Sequence, residues 1–331
     1  MIFHSYPINE PISLPKRGSW PEAVHVFEEA DVHALMAAEA AERPLLIRGL
    51  PGTGKSQLAR AAAEATQRLF LSAVVNARTE CQDLQWQFAA VARLGEAQAL
   101  AHCNVDEISG RLHPRRYLAP GPLWWVFDWQ SAIKQYEQCA HALELAPTPP
   151  NGWESSRGSV LLIDEIDKAD TDLPNGLLET LGNGDFAVPY LGASVRQSQD
   201  CPPPLVIITT NEERELPAAF LRRCLVLQLS LPEADSELLD FLCGRGEVHF
   251  GVRCTEKVRR EAGEMLLKDR KAADAQGLPP PGQAEYLDLL RAVCKLGHDE
   301  KEQIGWLAKI GEFAAIPGLL KSHLQSMYYK G

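Results

Sequence analysis

The sequence contains no apolar run close to the ~20 residues needed to span a membrane as a helix. It also lacks any C-x-x-C pair. The eight cysteines, at positions 81, 103, 139, 201, 224, 243, 254 and 294, lie far apart and suggest no zinc site. Reduced thiols of a cytoplasmic protein, several of them filling the core, are the simplest reading. Basic charge is in short supply as well: 33 Lys and Arg stand against 44 Asp and Glu, a net charge of −11. That balance counts against non-specific nucleic-acid binding. The opening residues, MIFHSYPINEPISLPKRG, lack the basic-then-apolar layout of a secretory leader. What is present is ordinary globular material, with 45% hydrophobic and 23% charged residues. The 331 residues suffice for one large α/β domain and a smaller companion.

Pro7, Pro11, Pro15 and Pro21 break residues 1–30 into an irregular arm. Asp31 is the expected cap of a helix over 32–43, which Pro44 ends. Leu45-Leu46-Ile47 reads as a short buried strand, followed by a helix over 55–68 and a strand over 71–75. Residues 84–101 and 129–145 have helical patterns on either side of the aromatic segment RRYLAPGPLWWVF, 115–127. Val160–Ile163 and Leu205–Ile208 are wholly apolar strands, and 225–231 is a further candidate. Leu173, Leu177, Leu178 and Leu181 define a helix with Gly182 as its expected C-cap. A hairpin is expected over 186–195. Beyond 232 the pattern is helical, interrupted by Pro279–Pro281. Apolar strands alternating with amphipathic helices predict an α/β fold with a parallel sheet covered on both faces. The expected organisation is an arm at 1–30, an α/β domain at 31–232 and a small all-α domain at 233–331.

Gly49-Leu-Pro51-Gly52-Thr53-Gly54-Lys55-Ser56 fits G-x-x-x-x-G-K-[ST] between an apolar strand and a helix, the context that gives the pattern meaning. Phosphate oxygens need converging backbone N–H donors, which only a loop with little side-chain bulk supplies. Gly52 and Gly54 can take positive φ. The helix beginning at Lys55 adds its N-terminal dipole. Lys55 supplies a mobile positive charge, Ser56 a hydroxyl for Mg²⁺, and Gln57 continues the binding segment. About a hundred residues later, Val160–Ile163 runs into Asp164-Glu165, which places both acids at the carboxyl edge of the sheet. Asp164 is the expected Mg²⁺ partner, through its water shell. Glu165 is the expected proton acceptor for an attacking water. Asn211, at the end of the 205–208 strand, would orient that water. Arg222 and Arg223 are candidate arginine fingers, with Arg223 preferred. The bland alternatives are a helix cap for the acids, a turn asparagine and surface ion pairs for the arginines.

These elements, in this order, resemble an AAA+ ATPase, and within it the MoxR group of the helix-2-insert clade. GLPGTGKS resembles its Walker A, VLLIDEIDKA its Walker B and IITTNEERELPAAFLRRC its sensor 1 through arginine-finger stretch. GPLWWVF at 121–127 resembles a segment near the helix-2 insertion, and GDFAVPYLGASVR at 184–196 falls where the pre-sensor-1 hairpin belongs. The resemblance implies a P-loop NTPase fold followed by a helical lid, with ATP and Mg²⁺ as cofactors. It further implies a ring, commonly a hexamer, and chaperone-like remodelling of a protein client. The subgroup most resembled implies a von Willebrand A-domain partner in bacterial defence. Competing classes are a DNA-directed or restriction-type AAA+ NTPase, a small-molecule P-loop kinase and a slow nucleotide-switched scaffold. Two departures stand out. The finger pair precedes Cys224 rather than phenylalanine, and no arginine occupies 280–285 in the lid, leaving Arg291 as a substitute. Trp124, Trp125 and Phe127 read either as core or as a client-gripping loop, with the Tyr190-Leu191 hairpin tip as the other candidate grip.

Overall fold

The computed structural model describes residues 6–100 and 110–313. Cys103, the last residue of the helical pattern over 84–101 and the stretch 314–331 lie outside the described residues. In chain order the strands are β1 (Pro11–Leu14), β2 (Ala23–Val26), β3 (Leu45–Arg48), β4 (Leu69–Val74), β5 (Trp86–Phe88), β6 (Leu118–Pro120), β7 (Ser159–Asp164), β8 (Asp185–Val188), β9 (Ala193–Arg196), β10 (Leu205–Thr210) and β11 (Leu225–Gln228). The helices are α1 (Glu29–Ala41), α2 (Lys55–Ala65), α3 (Cys81–Gln85), α4 (Ala90–Ala99), α5 (Pro122–Phe127), α6 (Trp129–Gln138), α7 (Asp172–Asn183), α8 (Ala218–Arg223), α9 (Asp235–Phe250), α10 (Glu256–Ala275), α11 (Gln283–Leu296) and α12 (Glu300–Phe313). No described helix is long and apolar enough to cross a membrane.

The predicted parallel sheet is present. Its strand order is β11-β3-β10-β7-β4, with β10 parallel to β3 and β7, and β4 parallel to β7. Every residue of β10 is buried, as are the first five of β7, because helices cover both faces. Each such Val, Leu or Ile contributes about 1.5–3 kcal/mol of burial. The chain divides into two compact units. One comprises Met1–Ile12, Phe27–Arg48 and Ser56–Leu227, and the other Ser13–Val26, Gly49–Lys55 and Gln228–Gly331.

Within the first unit several local expectations are corrected. Asp31 is the third residue of its helix rather than the cap: its carboxylate accepts the Glu28 N–H at 3.0 Å, and Glu28 stands at the N-cap. The helical pattern over 84–101 is interrupted by β5, which pairs antiparallel with β6 through Trp86–Pro120 and Phe88–Leu118. Trp86 and Phe88 alternate with Gln87, a strand period too short to stand out in the sequence. Over 129–145 the helix stops at Gln138, where Ala140 N–H turns away to Arg116 O at 2.8 Å. Gly184, with φ of 64°, takes the left-handed cap that was expected of Gly182. The hairpin is real, as β8 and β9. Its tip is held down: Tyr190 stacks on Phe88 with ring centres 3.8 Å apart and meets Trp86 edge-on at 5.4 Å. Trp124, Trp125 and Phe127 are only 3%, 5% and 2% exposed, which makes them core rather than a gripping loop.

In the second unit, α9–α12 pack around Leu242, Val258, Leu266, Tyr286, Leu290 and Leu307. Cys254 is buried there and Cys224 in the first unit; burial pushes both thiols up to about 12, so they behave as apolar fillers. Burial, then Arg245 and His249, lowers the His25 pKa to about 3. Burial, then Arg291 and Arg245, lowers that of His249 to about 4. Both folded values lie below the ordinary 6.5. Between pH 6.5 and about 4 the unfolded chain therefore takes up protons that the folded chain refuses, and stability falls as pH falls. At pH 5 the loss is about 2 kcal/mol per ring at most. Thermal melts should show a lower Tm at pH 5 than at pH 7, and His25→Gln/His249→Gln protein should show a flatter pH slope. An unchanged slope in that variant would refute the assignment.

Candidate functional site

The loop between β3 and α2 has the backbone its sequence predicted. Gly52 and Gly54 have φ of 81° and 95°, a region side chains disfavour. A Cβ on Gly52 would lie 3.2 Å from the Ala284 side chain, and Ala284 N–H donates to Gly52 O at 3.2 Å, so the start of α11 rests on the loop. Thr53 Oγ1 closes the turn onto Leu50 O at 2.9 Å. Lys55 is 6% exposed, its ammonium donating to Gly49 O at 2.6 Å and Leu50 O at 2.9 Å. Pro51 is exposed on the same turn, and Gln57 sits in the first turn of α2 with its side-chain oxygen buried.

Ser56 and Asp164, 108 residues apart, meet at the carboxyl edge of the sheet. Ser56 Oγ lies 2.9 Å from each Asp164 oxygen. The next residue, Glu165, has a left-handed backbone with φ of 61°, strain of the kind that collects at working sites. Its carboxylate is gripped at both oxygens: Asn211 Nδ2 donates to Oε1 at 3.1 Å and Lys168 Nζ to Oε2 at 2.6 Å. That hydrogen bond, more than the surrounding carboxylates, raises the Lys168 pKa, so Lys168 remains a charged donor across neutral pH.

Three residues that the motif did not single out organise this edge. Thr209, fully buried, donates to Asp164 Oδ1 and accepts the Glu165 N–H at 2.9 Å, so one hydroxyl fixes both acids. The available signal was the pair Thr209-Thr210 at the end of an otherwise apolar strand. Asp167, 2% exposed, accepts the N–H groups of Asn211 at 3.3 Å and Glu213 at 2.9 Å, which places the loop after β10. The third is Lys168. Asp167 and Lys168 lie within the VLLIDEIDKA stretch, where their residue types alone carry no sign of these contacts. Arg48, the last residue of β3, pairs with Glu212 and ties the same loop to the neighbouring strand.

The donors at this edge are hard oxygens, one hydroxyl and one carboxylate. Among the described residues no group of three or more His, Cys, Asp and Glu is gathered to hold a metal by itself. Mg²⁺ held jointly with phosphates and waters needs no such cage, so Ser56 and Asp164 fit it.

Arg222 and Arg223 are elsewhere. They end α8 and line a cleft of about 1050 Å³ together with Pro44, Arg68 and Leu205. Those three lie where β3, β4 and β10 begin, whereas Asp164 and Asn211 lie where β7 and β10 end. At about 3.3 Å per residue the six-residue β10 separates the two edges by roughly 17 Å. Both arginines are exposed, and neither head pairs with a side chain among the described residues. Arg291 is ion-paired to Asp288 on its own helix.

A parallel sheet with a glycine-rich turn after one strand and a Ser–Asp pair at its carboxyl edge defines a P-loop nucleotide-binding domain. The family described as AAA domain (dynein-related subfamily) matches residues 44–224, more than half of the chain, and the chain belongs to this AAA+ family. No curated protein matches it in sequence. Among solved structures it is similar to the Thermotoga maritima RuvB Holliday junction branch migration motor, at 15% identity over 85% of this chain and 67% of that one, with a TM-score of 0.43. A proline-to-glycine mutant of Thermotoga maritima RuvB is similar at 13% identity over 82% of this chain and 70% of that one, with a TM-score of 0.40.

Proposed function

We propose that the chain is a MoxR-like ATPase that assembles into a ring, commonly a hexamer, and uses ATP hydrolysis to remodel a protein client bearing a von Willebrand A domain. The observation that carries the reading is the division of labour between the sheet's two edges. Ser56, Asp164, Glu165 and Asn211 gather at one, and Arg222 and Arg223 project from the other. A bound Mg²⁺–ATP supplies the phosphoanhydride bond and the charge that screens it. The chain's own residues do the rest. Gly49, Pro51, Gly52, Thr53 and Gly54 shape the cradle, with Lys55 as its cation and Gln57 in the adjoining turn. Ser56 and Asp164 present oxygens to the metal. Glu165 takes a proton at its carboxylate from water, held for that task by Asn211 and Lys168. The arginine pair, at the opposite edge of the sheet from its own acids, completes the site of a neighbouring copy. The tethered β8–β9 hairpin and the β5–α4–β6 insertion are the features that favour the MoxR group.

The test uses tagged Glu165→Gln protein with ATP and Mg²⁺ and a purified von Willebrand A-domain protein. Retention that requires ATP is expected, as is wild-type turnover indifferent to duplex DNA. Absence of retention together with DNA-stimulated turnover would replace the reading with the DNA-directed alternative.

A further inference from the structure

Arg43 belongs to none of the motifs above. It lies two residues beyond α1, just ahead of Pro44 and β3, and its guanidinium reaches the carboxyl end of α8, some 180 residues away. Nε donates to Arg223 O at 3.0 Å and Nη2 to Cys224 O at 3.2 Å; Nη2 also donates to Arg222 O. The carbonyls that end a helix have no partners within it, and a cation there also meets the negative end of the helix dipole. Pro44 O accepts the Leu225 N–H at 2.9 Å, so the chain leaving α8 is pinned by the same two-residue segment. α8 has only six residues, too few to keep a direction unaided.

We infer that Arg43 is a positioning residue for the arginine pair: its fork across three successive carbonyls sets the direction in which α8 presents Arg222 and Arg223 to a neighbouring copy. This rests on the trans-arginine reading above. The fork is what matters. A lysine ammonium is a point donor and cannot span carbonyls in the planar geometry that a guanidinium offers. Displacing a charge-stabilising group by about 1 Å costs on the order of 10²-fold in rate.

The test compares Arg43→Ala, Arg43→Lys, Arg222→Ala/Arg223→Ala and Glu165→Gln full-length proteins, alone and in equimolar mixtures, by steady-state ATP turnover at ring-forming concentration. Arg43→Ala should bind a fluorescent ATP analogue within about twofold of wild type, because its own nucleotide edge is untouched. Its turnover should fall about 10²-fold. Arg43→Lys should fall less and melt close to wild type, which separates positioning from folding. Mixing either Arg43 variant with Glu165→Gln should restore turnover, since each supplies what the other lacks. Mixing it with Arg222→Ala/Arg223→Ala should restore none. A purely structural defect would not sort into this complementation pattern. Full turnover of the Arg43 variants beside an inactive arginine-pair variant would overturn the inference alone, as would folded Arg43 variants that Glu165→Gln fails to rescue. Full turnover of the arginine-pair variant would overturn the trans-arginine reading itself.

Discussion

Glu165→Gln protein is expected to bind ATP within a few-fold of wild type and to hydrolyse it at least 10²–10⁴-fold more slowly. The substitution preserves shape, and the glutamine carbonyl can still accept from Asn211 Nδ2, which lies 3.1 Å from Oε1 in the native site. What is lost is the ability to take a proton. The amide also cannot reproduce the charge-assisted contact with Lys168 Nζ at 2.6 Å, so Lys168 loses its anionic partner at that position. Ser56 and Asp164 keep their contact, and the glycine-rich loop is untouched, so affinity has no reason to collapse. Equilibrium binding of a fluorescent nucleotide and single-turnover phosphate release separate the two quantities. Unimpaired phosphate release would remove Glu165 from the role of proton acceptor.

The strands, and the acids at their ends, were legible in the sequence for a local reason. Val160–Ile163 and Leu205–Ile208 are continuous apolar runs, which only a doubly covered parallel strand tolerates in a chain of this composition, and each ends in polar residues at the edge where ligands bind. The side chains that organise the site were not legible, because their roles arise from register between strands far apart in sequence. Thr209 touches Asp164 across 45 residues only because Ile208 pairs with Ile163 in the β10–β7 ladder. Arg43 and α8 meet across about 180 residues, with no periodicity to announce it. The β5–β6 pair failed for a different reason. Three residues are too few for a period of two to outweigh the alanine-rich helical signal on their carboxyl side. Tyr190 could be picked out as exposed at a hairpin tip, but not as the partner of Phe88.

Arg222→Ala/Arg223→Ala protein should lose roughly 10³–10⁵-fold in turnover while still binding nucleotide and assembling. The amino ends of the strands, where the pair lines its cleft, lie roughly 17 Å from the acids at the other edge, beyond the reach of an arginine side chain. If these guanidiniums stabilise a transferring phosphoryl group, that group belongs to another copy. Wild-type turnover per chain should therefore rise with protein concentration and flatten once assembly is complete, and the double variant should remain flat throughout. The single variants then decide between the two. Both heads are exposed and both backbone carbonyls are held by Arg43, so the scaffold does not favour either. The one that faces the neighbour's phosphates will be the one whose loss matches the double variant. A turnover per chain independent of concentration, with full activity in the double variant, would mean that each chain completes its own site.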